Sequence, residues 1–571
     1  MLRVSARGPD GEGALVPGAR DRLEKMERKS LAGWIPILLV LVGFGAYAAD
    51  FILQTSFVID GERYFSLFDD PMVSMRYAAN LANGDGLVWN PGGERVEGFS
   101  NPLWVGTMAL VHMLPLPLSK TSLVIQVLCA VLLVVNLVVV GMLSRHLSND
   151  SNLVGFVAVV LTAFYYPLNN WALLGNDVAP AILLMSLVVW LVVRQVDHGH
   201  VGGWIYVLMG VGTWVRLDLV VLYMVVWLYL IVVDGKRRRF HLLFGGAVLV
   251  GSIGIQTALR YGYYGDVLPN PYYLKLTGGP MGLRLAHGAS ALLDFLWSFN
   301  WVVFASPLLM FAFVRDRKAL LLIAVVLAVV GYSVYVGADA WEHRGGANRF
   351  LASAMGLFFV LLASALERLR RAVLHRARWK TTSATRVSQL AVLLAAAAVL
   401  VNSNASLGLG SLRAALLRER PIYAIGNERN VSIGLFLRSI TDEEATIAYV
   451  AAGAAPYFAG RQAVDLLGKT DPHVARVQMR ISSTAPLEGY RPGHMKRDYA
   501  YSIGQLRPDV VVETWPGTRE EFAPFLPEYL EIRNPALERF LPDGRMYLRR
   551  DSEHIQWDLV QAFIYDSESE G

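Results

Sequence analysis

The sequence predicts an α-helical polytopic membrane protein that carries a C-terminal extracytoplasmic α/β domain. Three observations lead there. Of the 571 residues, 54% are hydrophobic and only 17% charged, and the mean hydropathy is +0.40. Apolar runs long enough to cross a bilayer recur from about residue 33 to residue 403. After Val401 the chain turns polar, and short β-type runs at 446–450, 463–467, 509–513 and 546–549 alternate with helical stretches.

Residues 1–30, rich in Gly, Arg and Glu, read as a disordered cytoplasmic tail. A transmembrane part follows over 31–403, with spans at 33–53, 101–118, 121–143, 152–173, 178–194, 203–234, 241–260, 289–314, 319–337, 349–366 and 387–403. The stretch 203–234 exceeds one ordinary span and holds Arg216 and Asp218 in its middle, so it reads as two short helices. The expected total is about 11 to 13 transmembrane helices. Basic clusters at 20–29, 236–239, 315–318 and 368–380 lie in the cytoplasm by the positive-inside rule. The N-terminus is then cytoplasmic, whereas the first outward loop (54–100), the loops around Asp266 and Asp339, and the domain 404–571 face outward. These clusters also explain the net charge of +5 without a nucleic-acid partner. The single cysteine, Cys129, sits in an apolar run and rules out intrachain disulfides and cysteine zinc sites.

Between the first two apolar runs lies LFDDPMVSMRYAANLANGDGLVWNPGGERVEGFSNPLW, residues 67–104. Coiled as a helix, its start sets Asp69, Val73 and Arg76 on one face and Asp70, Ser74 and Tyr77 on the next. Carboxylates beside lipid are costly without a partner or a wet cavity, which makes Asp69 and Asp70 the candidate catalytic pair. An aspartate in an apolar-walled site can act as general base toward a hydroxyl. Adjacent carboxylates also suit Mg²⁺ or Mn²⁺, although two oxygens from one segment are an incomplete site. The competing reading is that the pair caps its own helix. Trp89, Phe99 and Trp104 suit an interfacial aromatic belt.

Two further outward loops carry cations. LRYGYYGDVLPNPYYLK (259–275) offers Arg260 and Lys275 to a phosphate, with snorkelling as the structural alternative. GADAWEHRGGANRF (337–350) contains Asp339, Glu342, His343, Arg344 and Arg349, and arginines on this disfavoured side call for an anionic partner. Arg216 and Asp218 pair with each other or face a polar cavity. His473 and His494 show no metal-ligand spacing.

Together these segments, with AAGAAPYFAGRQAVDLLGKTDPHVAR and GHMKRDYAYSIGQLRPD downstream, resemble the GT-C membrane glycosyltransferases. Within that group the chain is similar to the bacterial type related to mycobacterial arabinofuranosyltransferase B, from about residue 33 to beyond residue 510. Relatives carry Arg-Pro-Asp where this chain reads Arg216-Leu217-Asp218, and Gly-x-Glu where it reads Gly175-Asn176-Asp177. The resemblance implies a transferase in the bacterial inner membrane. It would move a sugar, arabinofuranose in the named relative, from a polyprenyl-phosphate donor to a hydroxyl of a cell-envelope glycan or glycoconjugate. Asp69 would be the base of an inverting displacement and Asp70 its helper. Arg76, Arg216, Arg260, Lys275, His343, Arg344 and Arg349 are the candidate ligands of the donor phosphate or substrate. A competing class is a multi-span transporter or flippase of lipid-linked sugars, but the chain shows none of the corresponding halves that transporters usually have.

Overall fold

The computed structural model describes residues 33–199, 201–342, 348–378, 381–406, 408–533 and 544–561. The first apolar run forms α1 (Ile35–Thr55), and a short hairpin of β1 (Phe57–Ile59) and β2 (Glu62–Tyr64) follows it. The acid-bearing stretch forms α2 (Asp69–Asn83), which stops where Gly84 takes a left-handed conformation at φ 93°. Then come α3 (Pro102–His112), α4 (Leu118–Leu147), and α5 (Asn152–Ala163) with α6 (Tyr166–Leu173) bent from it by 56°. After α7 (Val178–Asp197), the helices α8 (Trp204–Val215) and α9 (Val220–Val233) are separated by Arg216 and a 3₁₀ turn at Leu217–Leu219. A π-helical turn, His241–Gly245, leads into α10 (Gly246–Tyr264), and α11 (Asn270–Leu276) lies in the following loop. The helices α12 (Met281–Phe299) and α13 (Trp301–Val314) meet at 95°, before α14 (Arg317–Val336), α15 (Arg349–Arg376) and α16 (Thr382–Ala405). Prolines stand in the first turn of α1, α3, α6 and α11, where a missing N–H costs nothing.

Among the described residues, seven helices are long and apolar enough to cross a membrane, or nine if each bent pair is one span. Two of the expected runs, 101–118 and 203–234, fall outside that count because their helices are short. The run 101–118 contains only the 11-residue α3, because the chain turns through Met113 to Pro117. The run 203–234 does break into two short helices, of 12 and 14 residues, at Arg216. α15 is the central element: 83% of its apolar window is buried inside the protein. The aromatic belt is also corrected. Trp89, Phe99 and Trp104 are all buried, with Phe99 edge-on to Tyr77 and the Trp104 indole donating to the Gly175 carbonyl at 3.1 Å. Cys129 is buried as expected.

Beyond the last span, α17 (Ala424–Ile440), β3 (Thr446–Tyr449), α18 (Ala454–Ala459), β4 (Gln462–Asp465), β5 (Val510–Val511), β6 (Tyr529–Arg533) and β7 (Arg545–Arg549) build a second layer. Its five strands run β4-β3-β5-β7-β6, with β3 parallel to both neighbours and β7 antiparallel to both of its own. All four runs expected as strands are strands. The edge strand β6 escapes a pattern search because only Tyr529 and Ile532 in it are buried.

Candidate functional site

Successive residues of a helix diverge by about 100°, so the two acids that open α2 meet different partners. Asp70 is held between cations: Lys469 Nζ lies 2.6 Å from Oδ1 and Arg349 Nη1 lies 2.8 Å from Oδ2. Arg349 in turn sits 3.1 Å from the buried Asp339. Burial pushes the Asp70 carboxyl up, but Lys469, Arg349 and Lys275 outweigh it and hold the group well below the usual carboxylate range. Asp69 turns the other way. Its Oδ1 accepts from the Ala454 N–H at 3.0 Å and from Asn430 Nδ2 at 3.4 Å. Burial raises the Asp69 carboxyl above its ordinary value, and the Ala454 N–H and Lys469 offset only part of that shift. Neither acid caps α2, which has no side-chain cap.

Two cavities flank this pair. One, of about 350 Å³, reaches toward the α8–α9 break, and the other, of about 390 Å³, opens between α17, the β3–α18 loop and the downstream domain. Asp70, Lys275, Arg349 and Lys469 line both, so the cavities adjoin at this cluster, whereas Asp69 lines only the second. Lys275 forms no ion pair among the described residues. Burial, together with the like charges of Arg349 and Lys469, pushes its ammonium down to about 8.

The first cavity holds a polar relay. Asn101 donates to Asp177 at 2.9 Å, and Arg216 grips Asp218 with two bonds of 2.6 and 2.8 Å. Arg216 Nη1 and Asn176 Nδ2 are buried without a hydrogen-bond partner among the described residues, and both residues line the cavity. The second cavity also presents aromatic rings: His494 stacks on Trp515 at 5.5 Å and meets the edge of Trp341 at 5.6 Å. Burial pushes the His494 imidazole down to about 4, so it is neutral at physiological pH.

Of the residues expected at the site, Asp69, Asp70, Lys275 and Arg349 come together. Arg216 lines the first cavity paired with Asp218, and its guanidinium and that of Arg349 both lie over the Phe350 ring, at 5.7 and 5.8 Å. Two others are corrected. Arg76 is buried and spends its guanidinium on the carbonyls of Trp89, Pro456 and Arg461 and on Asn90, clasping α2 to the downstream domain. Arg260 forms a buried ion pair with Glu97. Neither lines a cavity at the acid pair. His343 and Arg344 lie outside the described residues. Lys469 escapes a residue-type search because nothing local marks it; the segment LLGKTDPHVAR, which carries the resemblance, is its one signal. A Mg²⁺ or Mn²⁺ at Asp69 and Asp70 does not fit the donors present. Cations occupy both Asp70 oxygens, and no group of three or more His, Cys, Asp or Glu among the described residues could hold a metal ion.

Comparison with known proteins bears on this geometry. Residues 105–255 match the dolichyl-phosphate-mannose-protein mannosyltransferase family, and residues 420–568 match a domain of unknown function. No curated protein matches the chain significantly. ArnT from Cupriavidus metallidurans in the apo state is similar at a TM-score of 0.51 and 12% identity, over 91% of this chain and 98% of that one. The apo oligosaccharyltransferase of Archaeoglobus fulgidus is similar at a TM-score of 0.52 and 12% identity, over 91% and 75%. The chain has the GT-C fold. This GT-C architecture and the mannosyltransferase match together support a membrane glycosyltransferase. They carry the fold and not the narrower likeness to arabinofuranosyltransferase B.

Proposed function

We propose that this protein transfers a sugar from a polyprenyl-phosphate donor to a hydroxyl of a cell-envelope glycan or glycoconjugate on the extracytoplasmic face. The observation that carries this reading is the division of labour at the head of α2. Asp69, with a raised carboxyl, lines one cavity, while Asp70, held ionised, anchors cations where that cavity adjoins the other. The donor phosphate is assigned to Lys275, Arg349 and Lys469. Arg349 and Lys469 are ion-paired with Asp70, and Arg349 also with Asp339, whereas Lys275 forms no ion pair among the described residues and so keeps its charge for the phosphodiester.

The acceptor hydroxyl enters from the second cavity and loses its proton to Asp69 as its oxygen bonds to the anomeric carbon. The bond from that carbon to the phosphate oxygen breaks, and polyprenyl phosphate leaves into the cation cluster. Attack opposite the leaving group inverts the anomeric configuration. Since phosphate leaves as an anion, no carboxylic acid is required to protonate it, unlike glycoside hydrolysis by two carboxylates. Asp70 serves as counter-ion to the cations, because a carboxylate stabilised this strongly is a poor base. The resemblance makes an arabinofuranosyl donor the first to test.

The test uses the purified protein in lipid nanodiscs with a panel of radiolabelled polyprenyl-phosphate sugars and glycan acceptors. The expected result is an inverted product, with transfer abolished in a folded Asp69→Asn variant. Near-wild-type transfer by that variant would overturn the assignment of the base. Vesicle uptake of the lipid-linked sugar without product would point to the transporter class instead.

A further inference from the structure

Lys275 stands on α11, a helix of only 7 residues. A helix this short is marginal on its own, so its place is set by what grips it from outside. It is gripped at both ends. At the C-terminal end the fully buried Lys496 donates to the Tyr273 carbonyl at 3.0 Å, to Thr277 Oγ1 at 3.3 Å and to the Ala475 carbonyl at 2.6 Å. Arg284 of α12 adds a bond of 2.8 Å to the Leu276 carbonyl. At the start of the helix stands Asn270, itself buried. Its main-chain N–H donates to the Glu97 carbonyl at 3.0 Å. Its side-chain Nδ2 faces the carbonyls of Gly468 and Lys469 at 3.0 Å each and that of Asp471 at 3.3 Å.

These carbonyls meet one amide because the turn that carries Lys469 is folded around Asp465. The Asp465 carboxylate accepts from the N–H groups of Leu467, Gly468 and Thr470 at 2.9, 3.1 and 2.7 Å. The Thr470 N–H and the Lys469 carbonyl belong to one planar peptide and point opposite ways, so fixing the first on Asp465 aims the second at Asn270. Asn270 is therefore bonded into both lysine-bearing segments. It opens the helix that bears Lys275, and it holds the main chain of Lys469 itself. Lys496 and Arg284 grip α11 without a bond to that residue. Asn270 lines neither cavity, although Pro269, Pro271 and Tyr272 beside it line the first.

We propose that Asn270 is a positioning residue of the phosphate site: it sets Lys275 against Lys469 and so governs donor affinity without touching the donor. Two like charges that line the same cavities repel, and they stay together only where their main chains are tied. Lys469 has Asp70 as its counter-ion, whereas Lys275 forms no ion pair among the described residues that could hold it there. The tie at Asn270 does so through the backbone. The proposal rests on the assignment of the donor phosphate to these cations.

The test is titration of polyprenyl phosphate into the full-length protein in nanodiscs, followed by calorimetry, for Asn270→Ala alone and for Asn270→Ala beside Lys275→Met. Since Lys496 and Arg284 still grip α11, Asn270→Ala is expected to fold and to weaken binding about tenfold. In the Lys275→Met background the same change should weaken it by about twofold or less, because the tie then has one lysine fewer to place. Donor KM should rise while kcat at saturating donor stays within about threefold of wild type. Asn270→Ser keeps one donor and should fall between; it gives the same reading if the alanine variant is not recovered folded. Unchanged affinity in the folded variant, or an equal loss in both backgrounds, would overturn the proposal. Affinity that Lys275→Met leaves unchanged would instead remove the phosphate site on which it rests. Binding that depends on both residues in a protein that transfers no sugar would keep the proposal and remove the transferase reading.

Discussion

Lys469 Nζ donates to Asp70 Oδ1 at 2.6 Å across 399 residues of sequence, and this contact joins the downstream domain to the loop that opens the candidate site. It also explains why two adjacent aspartates differ so much in character. Lys469 helps to hold Asp70 well below the usual carboxylate range, while Asp69, turned about 100° around the helix, is raised by burial that the same lysine offsets only in part.

Removing that lysine should weaken donor binding more than it weakens the fold. Its ion pair is partly exposed, with the side chains 24% and 23% accessible, so its stability contribution is small, about 0–1 kcal/mol. A charge-assisted bond to a bound phosphate is worth about 1.5–3 kcal/mol, which is roughly 10- to 150-fold in affinity. Lys469→Met is therefore expected to lose that much affinity for polyprenyl phosphate while its thermal unfolding shifts little. Titration calorimetry and a melting curve on the same sample check this, and unchanged affinity would contradict the phosphate assignment.

The pH profile should have two limbs of known origin. Lys275, pushed down to about 8, binds an anion only while protonated, so the donor KM should rise as pH climbs through about 8. Lys275→Arg keeps its charge well above that pH and should flatten the rise. On the acid side Asp69 must be ionised to accept a proton, so kcat/KM should fall as pH drops through its raised value, earlier than for an ordinary aspartate. Initial rates measured across the acid and alkaline ranges, with Lys275→Arg alongside, check both limbs.

Gly453 permits the close approach of the β3–α18 loop to Asp69. A Cβ added there would lie 1.9 Å from the main-chain oxygen of Asp69 and 2.7 Å from its Oδ1. Gly453→Ala must displace Asp69 or the loop, at a cost of about 1–3 kcal/mol. The expected outcome is a lowered melting temperature together with at least a tenfold fall in transfer rate. Wild-type values for both would show that the contact is dispensable.

Arg260 should matter for folding and not for the donor. It pairs with Glu97, and both side chains are only 6% accessible. Removing one partner strands a buried charge, so Glu97→Gln should destabilise the protein by about 3–5 kcal/mol. The double variant Glu97→Leu/Arg260→Met should recover most of that loss. Denaturant unfolding in detergent measures the stabilities, and an unchanged donor KM in the double variant confirms that Arg260 is no phosphate ligand.

Much of this arrangement is legible in one dimension because its causes are local. A bilayer imposes length and apolarity on its spans, so α1, α4, α7, α10, α14, α15 and α16 stand out as hydrophobic runs. The penalty for an unpaired carboxylate near lipid makes Asp69 and Asp70 conspicuous, and the positive-inside rule does the same for Lys275 and Arg349. Arg76 and Arg260 look equivalent to those cations in sequence, yet their partners are a carbonyl at Pro456 and a carboxylate at Glu97, 380 and 163 residues away. Residue type carries no information about such partners.

The sequence by itself determines that this is a multi-span membrane protein with a polar, acid-bearing loop and a separate mixed α/β layer, because burial and periodicity act over a few residues. Only the tertiary structure decides which acid carries a raised carboxyl and which is held between cations. That outcome depends on Ala454 and Lys469 arriving from beyond the last span, and charge interactions of a few ångströms depend on where the chain returns in space.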